Sequence, residues 1–162
     1  MRATRSGIVL AACLALTGPA AAQSQPTLLD SYARVTALQS YMTTYVGEAL
    51  LACAAKNMLT EDQAETRYQA YRQRNAALLE QAESWSQQAE QRLRALGVPR
   101  ATRQGEEAGL NAVGEASIRA QGAIGRAKDV RAACAAMIAA IDSGRYDLSG
   151  NAEFVDLLKT KP

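Results

Sequence analysis

The stretch EALLACAAKN (residues 48–57) decides the fold, because it places a cysteine inside an apolar helical pattern. Cys53 could be a nucleophile, a metal ligand, a lipid attachment site or half of a disulfide bond. The chain has 162 residues with three cysteines and no histidine. The role of Cys53 therefore depends on which other segments of the chain come to lie beside it.

The first 22 residues have the pattern of a secretory signal peptide. Arg2 and Arg5 precede a short apolar segment, which is followed by a Gly-Pro pair and by small residues up to Ala22. A basic start, a short apolar core and an A-x-A site are typical of a leader that is removed on export. We therefore expect cleavage near Ala22 and a mature chain of residues 23–162 that is periplasmic or secreted.

The first cysteine offers a less favoured alternative. Leu10-Ala11-Ala12-Cys13 resembles a bacterial lipobox, in which Cys13 would be acylated and would anchor the protein to a membrane. Only about six apolar residues precede Cys13, and the apolar run continues beyond it, as expected for a residue inside a signal core. Both interpretations place the mature protein outside the cytoplasm.

The net charge of the mature chain argues against polyanionic partners. The full chain has 18 Lys and Arg residues and 16 Asp and Glu residues, for a net charge of +2. Arg2 and Arg5 belong to the leader, which contains no acid, so the mature chain has 16 residues of each sign and is neutral. Binding to nucleic acid or to an anionic membrane surface requires a basic surface. We therefore expect no nucleic-acid partner, and we find no transmembrane segment in the mature chain.

The composition and the apolar spacing predict an all-α fold. A mature chain of about 140 residues suits one domain, and its Ala, Gln, Glu, Arg and Leu content favours helix. Apolar residues recur every three or four positions, which predicts helices at about 27–57, 60–96, 101–143 and 151–159. Because the connections are short, we expect an antiparallel bundle of three long helices with a short C-terminal helix, all within 23–162.

Local signals support these helix boundaries. Thr60 followed by Gln63 predicts a capping box at the start of the second helix, and Gly97 predicts its end. The predicted third helix contains five glycines, each of which costs about 1 kcal/mol relative to alanine. Close packing, a frayed half, or a kinked arm ordered by a partner would each account for Gly105, Gly109, Gly114, Gly122 and Gly125.

The predicted bundle assigns a role to Cys53. The first and third helices run in the same direction, so Cys53 and Cys134 fall at the same end and on the inward stripes. Two such cysteines in an exported chain predict a disulfide bond. Closing a loop of this length contributes about 4 kcal/mol in the chain-entropy model. A bridged cysteine is neither a nucleophile nor a metal ligand.

Most catalytic chemistry is missing from the sequence. A chain without histidine has no Ser-His-Asp triad, Cys-His pair, histidine-ligated haem or Glu-x-x-His di-iron site. No glycine-rich phosphate loop or EF-hand pattern is present. Adjacent acids such as Glu61 and Asp62 point about 100° apart on a helix and do not converge on one substrate atom. We therefore expect no catalytic residue, no metal ion and no cofactor.

Two groups of residues are candidates for binding. The first is a ligand pocket between the first two helices, formed by four tyrosines on core stripes and a polar residue, namely Tyr32, Tyr45, Tyr68, Tyr71 and Asn75. The second is a partner surface on the C-terminal helix, formed by Phe154, Leu157 and Leu158. For both groups, packing inside the bundle is the favoured interpretation and binding is the alternative.

The segment LTEDQ (residues 59–63) resembles the L-T-x-x-Q motif of the Spy/CpxP group of small periplasmic helical chaperones. That resemblance implies binding of unfolded or stress-exposed envelope proteins on an apolar, partly charged surface. The sequence as a whole favours a non-enzymatic protein that acts by protein–protein interaction or scaffolding in the bacterial envelope, as a monomer or as a homo-oligomer. The chaperone and the binding of a small amphiphilic ligand are the alternatives. An exposed apolar patch on the third helix would favour protein binding, and a closed tyrosine-lined cavity would favour the ligand.

Overall fold

The computed structural model describes residues 27–98 and 100–162. The signal peptide, its cleavage site near Ala22 and Cys13 lie outside the described residues. Helix makes up 81% of the described residues, which contain no β-strand. The prediction of an all-α fold is therefore confirmed.

The described residues form six α-helices where the sequence predicts four. They are α1 (Leu28–Ala54), α2 (Glu61–Arg74), α3 (Ala76–Ala95), α4 (Ala101–Gly125), α5 (Val130–Asp142) and α6 (Ala152–Lys159), with a single 3-10 turn at Leu148–Gly150. The predicted second helix is divided at Asn75, and the predicted third helix is divided between α4 and α5. The predicted C-terminal helix corresponds to α6.

Hydrogen bonds at the helix ends explain several of these boundaries. The Gln63 N–H donates to Thr60 Oγ1 at 3.1 Å, and the Thr60 N–H donates to Gln63 Oε1 at 3.0 Å. This is the capping box that the sequence predicts, and it starts α2. After α3, Gly97 has a positive φ of 74°, a conformation that favours glycine, and it reverses the chain as predicted.

The turn between α4 and α5 has its own cap. The carboxylate of Asp129 accepts a hydrogen bond of 2.9 Å from the Ala132 N–H, which satisfies an amide in the first turn of α5. The helical spacing of apolar residues continues across this turn, so periodicity alone does not reveal it. Because of this turn, α4 ends at Gly125 and α5 begins as a separate helix at Val130.

The helices α1 and α4 run side by side in the same direction. The ring of Tyr32 lies against Gly105 near the start of both helices, and Gln121 donates to Glu48 at 3.0 Å near their far ends. Each pair is separated by 73 positions in sequence, so the register is constant. The buried α4 face is made of small residues, which allows close approach to α1; they include Gly105, Gly109, Ala112, Ala116 and Ala120.

The disulfide bond between Cys53 and Cys134 is confirmed. Their Cα atoms are 5.7 Å apart, and both residues are fully buried. The bond joins the end of α1 to α5 in a core cluster that also contains Leu50, Tyr71 and Ile141. A second core cluster, at the other end of α1, contains Tyr32, Trp85 and Phe154 among others.

The helix α1 is the central element of the fold. The helices α2 and α3 pack on one side of α1, and α4 packs on another, while α2 and α4 barely touch each other. This arrangement leaves an open groove above α1 between its two neighbours. In residues 27–98 and 100–162, no helix is both long and apolar enough to cross a membrane.

Candidate functional site

The four predicted pocket tyrosines do not line one cavity. Tyr32 lies near the start of α1, whereas Tyr45 lies 13 positions later, about 20 Å further along the helix axis. Tyr68 and Tyr71 stack on each other from α2, with ring centroids 6.3 Å apart. The structure therefore brings Tyr68 and Tyr71 together and places Tyr32 at the other end of the fold.

Tyr45 belongs to a separate aromatic group. Its ring stacks on Tyr41 at 6.0 Å and meets Tyr146 at 5.6 Å. Burial and the neighbouring Tyr146 raise the pKa of Tyr45 to about 12. The group packs the segment after α5 against α1, and both Tyr45 and Tyr146 lie against the core cluster that contains the disulfide.

Tyr71 is fully buried, and its hydroxyl has no hydrogen-bond partner among the described residues. Burial raises the pKa of Tyr71 well above its ordinary value, and the nearby Tyr68 and Asp147 act in the same direction. The hydroxyl therefore stays protonated at neutral pH. With no exposed surface, Tyr71 is available to no ligand without local opening.

Asn75 uses its side-chain amide inside the chain. Its Nδ2 donates to the Tyr71 carbonyl at 2.8 Å and to Asp147 Oδ1 at 3.2 Å, and its Oδ1 accepts from the Leu148 N–H at 2.7 Å. Asn75 is only 2% exposed and sits at the division between α2 and α3. Asn75, which the sequence offered as a pocket residue, therefore joins α2 to the segment after α5. We call this set of hydrogen bonds the Asn75 clamp.

The neighbouring residue strengthens the same clamp. Arg74 donates to the Ile141 carbonyl at 2.6 Å and forms an ion pair with Asp147 at 3.3 Å. The segment after α5 is therefore held against the division between α2 and α3 by Arg74 and Asn75 together. Asp147 was not identified from the sequence, because a single acid in a loop has no distinguishing pattern.

The predicted partner surface on α6 is buried. Phe154, Leu157 and Leu158 are 0%, 8% and 5% exposed. Trp85 donates from its indole N–H to the Thr160 carbonyl at 2.8 Å, which holds the end of α6 against α3. The apolar face of α6 therefore packs in the core of its own chain, where Trp85 and other apolar residues contact it. In this structure that face is not exposed to a partner.

The open groove above α1 is the main concave feature. We define the acidic groove as two connected sections that share Thr43 and Tyr68. The first section, of about 390 Å³, lies between α1, α2 and α4. The second, of about 830 Å³, lies between α1 and the α2–α3 pair. The groove is continuous because Tyr68 forms part of the wall of both sections.

Apolar side chains remain exposed in the first section. Leu51 of α1 is 54% exposed and Val113 of α4 is 38% exposed. Gly47 forms part of the floor, and a Cβ atom there would lie 3.4 Å from the Tyr68 ring. Glycine at position 47 thus lets the aromatic ring of Tyr68 lie close to the backbone of α1.

The groove carries a negative charge although the mature chain is neutral. Its charged lining is four carboxylates and one guanidinium, which gives a net charge of −3; these residues are Glu48, Glu65, Glu80, Glu83 and Arg72. Throughout the described ranges, no lysine or arginine forms an ion pair with any of these carboxylates. They come from three different helices, so the sequence alone did not group them.

These carboxylates are spread along the groove and do not form a metal site. In the part of the chain that the structure describes, no group of three Asp, Glu or Cys residues is placed to hold a metal ion. Two other carboxylates have a lowered pKa, and each has a structural cause. Hydrogen bonds from Thr27 lower the pKa of Asp30 at the start of α1, and hydrogen bonds from Thr102 and Arg94 lower that of Glu90.

A second exposed apolar feature lies on α4. Leu110 and Ile118 are each 72% exposed, and Gly114 lies between them with no atom within 4 Å of a Cβ built on it. We call these three residues the α4 stripe. Gly105 and Gly109 are explained by packing against α1, whereas no other helix among the described residues comes within 4 Å of a Cβ at Gly114.

The LTEDQ segment lies at the exposed start of α2. Its Thr60 and Gln63 side chains bond to each other's backbone in the capping box, so both have a local structural role. Thr60 and Gln63 are also exposed and remain accessible from solvent. No protein-family model, no curated protein and no solved structure matches this chain.

Proposed function

We propose that the protein is an exported, non-enzymatic helical protein that acts by protein–protein interaction in the bacterial envelope, and that it binds a segment of a partner in the acidic groove. In this proposal α1, the α2–α3 pair and the α4–α5 pair are the three long arms of an antiparallel bundle. The observation that supports the proposal best is the exposure of Leu51 and Val113 beside carboxylates that form no ion pair with any described lysine or arginine.

The chemistry of the groove defines the segment that it would bind. Fully burying a Leu or Val side chain contributes about 1.5–3 kcal/mol, so partial burial of Leu51 and Val113 supplies a modest driving force. A lysine or arginine on the partner would pair with Glu48 or Glu65 at the rim. We therefore propose a polypeptide segment that carries apolar side chains flanked by basic ones.

A small-ligand function receives less support from the geometry. The candidate tyrosines are divided among three places, and the groove is open along its length. Such an open groove buries less of a small molecule than the enclosed pockets that drug-sized ligands use. A chaperone that binds many clients is the second candidate, since an exposed apolar surface beside charged groups also suits unfolded chains.

The test is site-specific photo-crosslinking in cells. A benzoylphenylalanine replaces Val113 in the groove, and a matched variant carries it at Gln104, an exposed position on the same helix. We expect one or two envelope proteins to be captured from position 113 and not from 104. The substitution Glu65→Lys should reduce this capture, because it reverses a rim charge without removing an apolar contact.

The other outcomes are equally informative. A broad set of captured proteins that grows under envelope stress would support the chaperone instead of a defined partner. Equal capture from positions 113 and 104 would contradict the groove as the binding surface. If Glu65→Lys did not change the capture, the proposal that the bound segment carries basic side chains would be contradicted.

A further inference from the structure

The α4 stripe points away from the rest of the chain. Its three residues are spaced by four positions, so they lie along one face of α4. The face that packs on α1 contains Gly105 and Gly109 and lies on the opposite side of the helix. The stripe is therefore covered by nothing among the described residues, and it exposes two large apolar side chains.

Within residues 27–98 and 100–162 of one copy, no contact explains Gly114. A glycine inside a helix costs about 1 kcal/mol relative to alanine, and no described neighbour near Gly114 offsets this cost. A small residue flanked by large apolar residues one turn away on each side is typical of a place where another helix crosses closely. Gly114 thus suits a helix–helix contact that the isolated chain does not contain.

We propose that the α4 stripe pairs with the α4 stripe of a second copy of this chain, with the two helices antiparallel and related by a two-fold axis at Gly114. Leu110 and Ile118 lie four positions before and after Gly114. In the antiparallel arrangement Leu110 of each copy therefore meets the partner's Ile118. Such an interface is self-complementary, as a two-fold contact must be.

The charges on α4 favour the antiparallel direction. Glu107 lies about one turn before Leu110, and the guanidinium of Arg126 folds back over Gly122, one turn after Ile118. The antiparallel pair places Glu107 of one copy level with position 121 of the partner, next to the guanidinium of the partner's Arg126, which lies over Gly122. A parallel pair would instead place Glu107 against the partner's Glu107, which is unfavourable.

This interface lies on a different face from the acidic groove, so the inference does not depend on the proposed function. Loss of partner capture with the dimer intact would contradict the groove alone. A protein that captures its partner through position 113 but forms no dimer at any concentration would contradict the stripe alone. The two sets of variants share no residue.

Sedimentation velocity of the oxidised protein over a range of concentrations tests the inference. We expect a reversible dimer, and we expect Ile118→Arg to weaken it at least roughly tenfold, because a guanidinium would be buried without a partner. The matched control Gln91→Arg places the same charge on an exposed position of α3 and should leave the dimer unchanged. Circular dichroism checks that both variants stay folded.

Cysteine crosslinking tests the direction and the centre of the contact. Gly114→Cys should form a disulfide-linked dimer on mild oxidation, since position 114 faces itself across the axis. Leu110→Cys should not, because position 110 faces position 118 of the partner. Crosslinking by both variants would indicate a parallel pair and overturn the inference.

A charge exchange separates pairing from misfolding. Glu107→Arg and Arg126→Glu should each weaken the dimer, and the two together should restore it. A protein that remains a monomer at every concentration, or a dimer unaffected by Ile118→Arg, would overturn the inference. The inference would also be overturned if a crosslinker at position 118 of a monomeric chain captured a different protein, because the stripe would then bind another partner.

Discussion

The side-chain oxygen of Asn75 accepts a 2.7 Å hydrogen bond from the backbone N–H of Leu148, which lies 73 positions later in the chain. Both groups are buried. This bond joins the division between α2 and α3 to the segment that follows α5. Together with the contacts of Arg74, it connects the middle of the chain to its C-terminal part.

Replacing Asn75 should destabilise the protein strongly. The substitution Asn75→Ala leaves the buried Leu148 N–H without a partner and removes the hydrogen bond to the Tyr71 carbonyl. We expect the free energy of unfolding to fall by about 3 kcal/mol, measured by urea denaturation with the disulfide intact. The control Gln73→Ala, at an exposed position of α2, should change it by less than about 0.5 kcal/mol. Equal effects of the two variants would contradict the clamp.

The five glycines of the predicted third helix should differ in their response to alanine. A Cβ at Gly105 would lie 2.8 Å from Cζ of Tyr32, so Gly105→Ala forces the ring or the helix to move. We expect a loss of about 2 kcal/mol. Gly125 has no atom within 4 Å of a built Cβ, so Gly125→Ala should be neutral or should stabilise by up to about 1 kcal/mol. Thermal unfolding of both variants measures the difference, and a stable Gly105→Ala protein would show that α1 and α4 can separate.

Reduction of the disulfide should lower stability without changing the helix content. The bond closes a loop with a sequence separation of 81 residues. The chain-entropy model then gives about 4 kcal/mol of stabilisation. Urea denaturation with and without reductant measures this value.

The same reductant should have no effect on a variant with Cys53→Ala and Cys134→Ala. Intact mass measurement of the exported protein provides a second check, and two free thiols there would contradict the bond in the cell. Since oxidising compartments favour disulfides, this result would also weaken the proposal of export.

The buried tyrosines should make the protein sensitive to alkaline pH. The pKa of Tyr45 is raised from 10.0 to about 12, and burial raises that of Tyr71 as well. The unfolded chain therefore loses these protons first, near pH 10, while the folded chain keeps them. The contribution of these two tyrosines to the free energy of unfolding is therefore complete below pH 10. It is lost as the pH rises through their pKa values in the folded chain. Urea denaturation between pH 8 and about 12 should show this decline.

Phenylalanine at position 71 should increase stability at neutral pH. The Tyr71 hydroxyl is buried and has no hydrogen-bond partner among the described residues, so Tyr71→Phe removes a desolvated polar group. We expect a gain of about 1 kcal/mol and a smaller alkaline decline. Tyr68→Phe, at a partly exposed neighbour on α2, serves as the control. A loss of stability in Tyr71→Phe would reveal a hydrogen-bond partner that Tyr71 finds in solution.

The helix divisions show where sequence reasoning succeeds and where it stops. Thr60 and Gln63 form a local capping box, so the start of α2 is readable from four consecutive residues. The division at Asn75 is not readable, because asparagine also occurs inside helices and the apolar spacing continues on both sides. The helix α2 ends there because a distant segment binds the Asn75 side chain. Its Nδ2 donates to Asp147, and its Oδ1 accepts from the Leu148 N–H.

The candidate site shows the same contrast. The sequence correctly assigned the tyrosines to helical stripes, but residues on one stripe of a long helix can lie about 20 Å apart along its axis. Phe154 and its neighbours form an apolar face for which the sequence favours packing on the bundle but does not exclude a partner surface. The tertiary structure shows that this face lies in the core, where the Trp85 indole N–H donates to the Thr160 carbonyl and holds α6 against α3.

The sequence by itself determined the all-α fold, the capped start of α2 and the pairing of Cys53 with Cys134. The fold class and the capped start depend on periodicity and on hydrogen bonds between near neighbours, which a linear chain contains directly. The pairing was predictable because Cys53 and Cys134 lie on apolar helical stripes, while Cys13 falls in the predicted leader. The acidic groove, the Asn75 clamp and the exposed stripe at Gly114 were decided by the tertiary structure. They depend on which side chains from separate helices share one volume and which are left uncovered, and packing determines this only when the whole chain has folded.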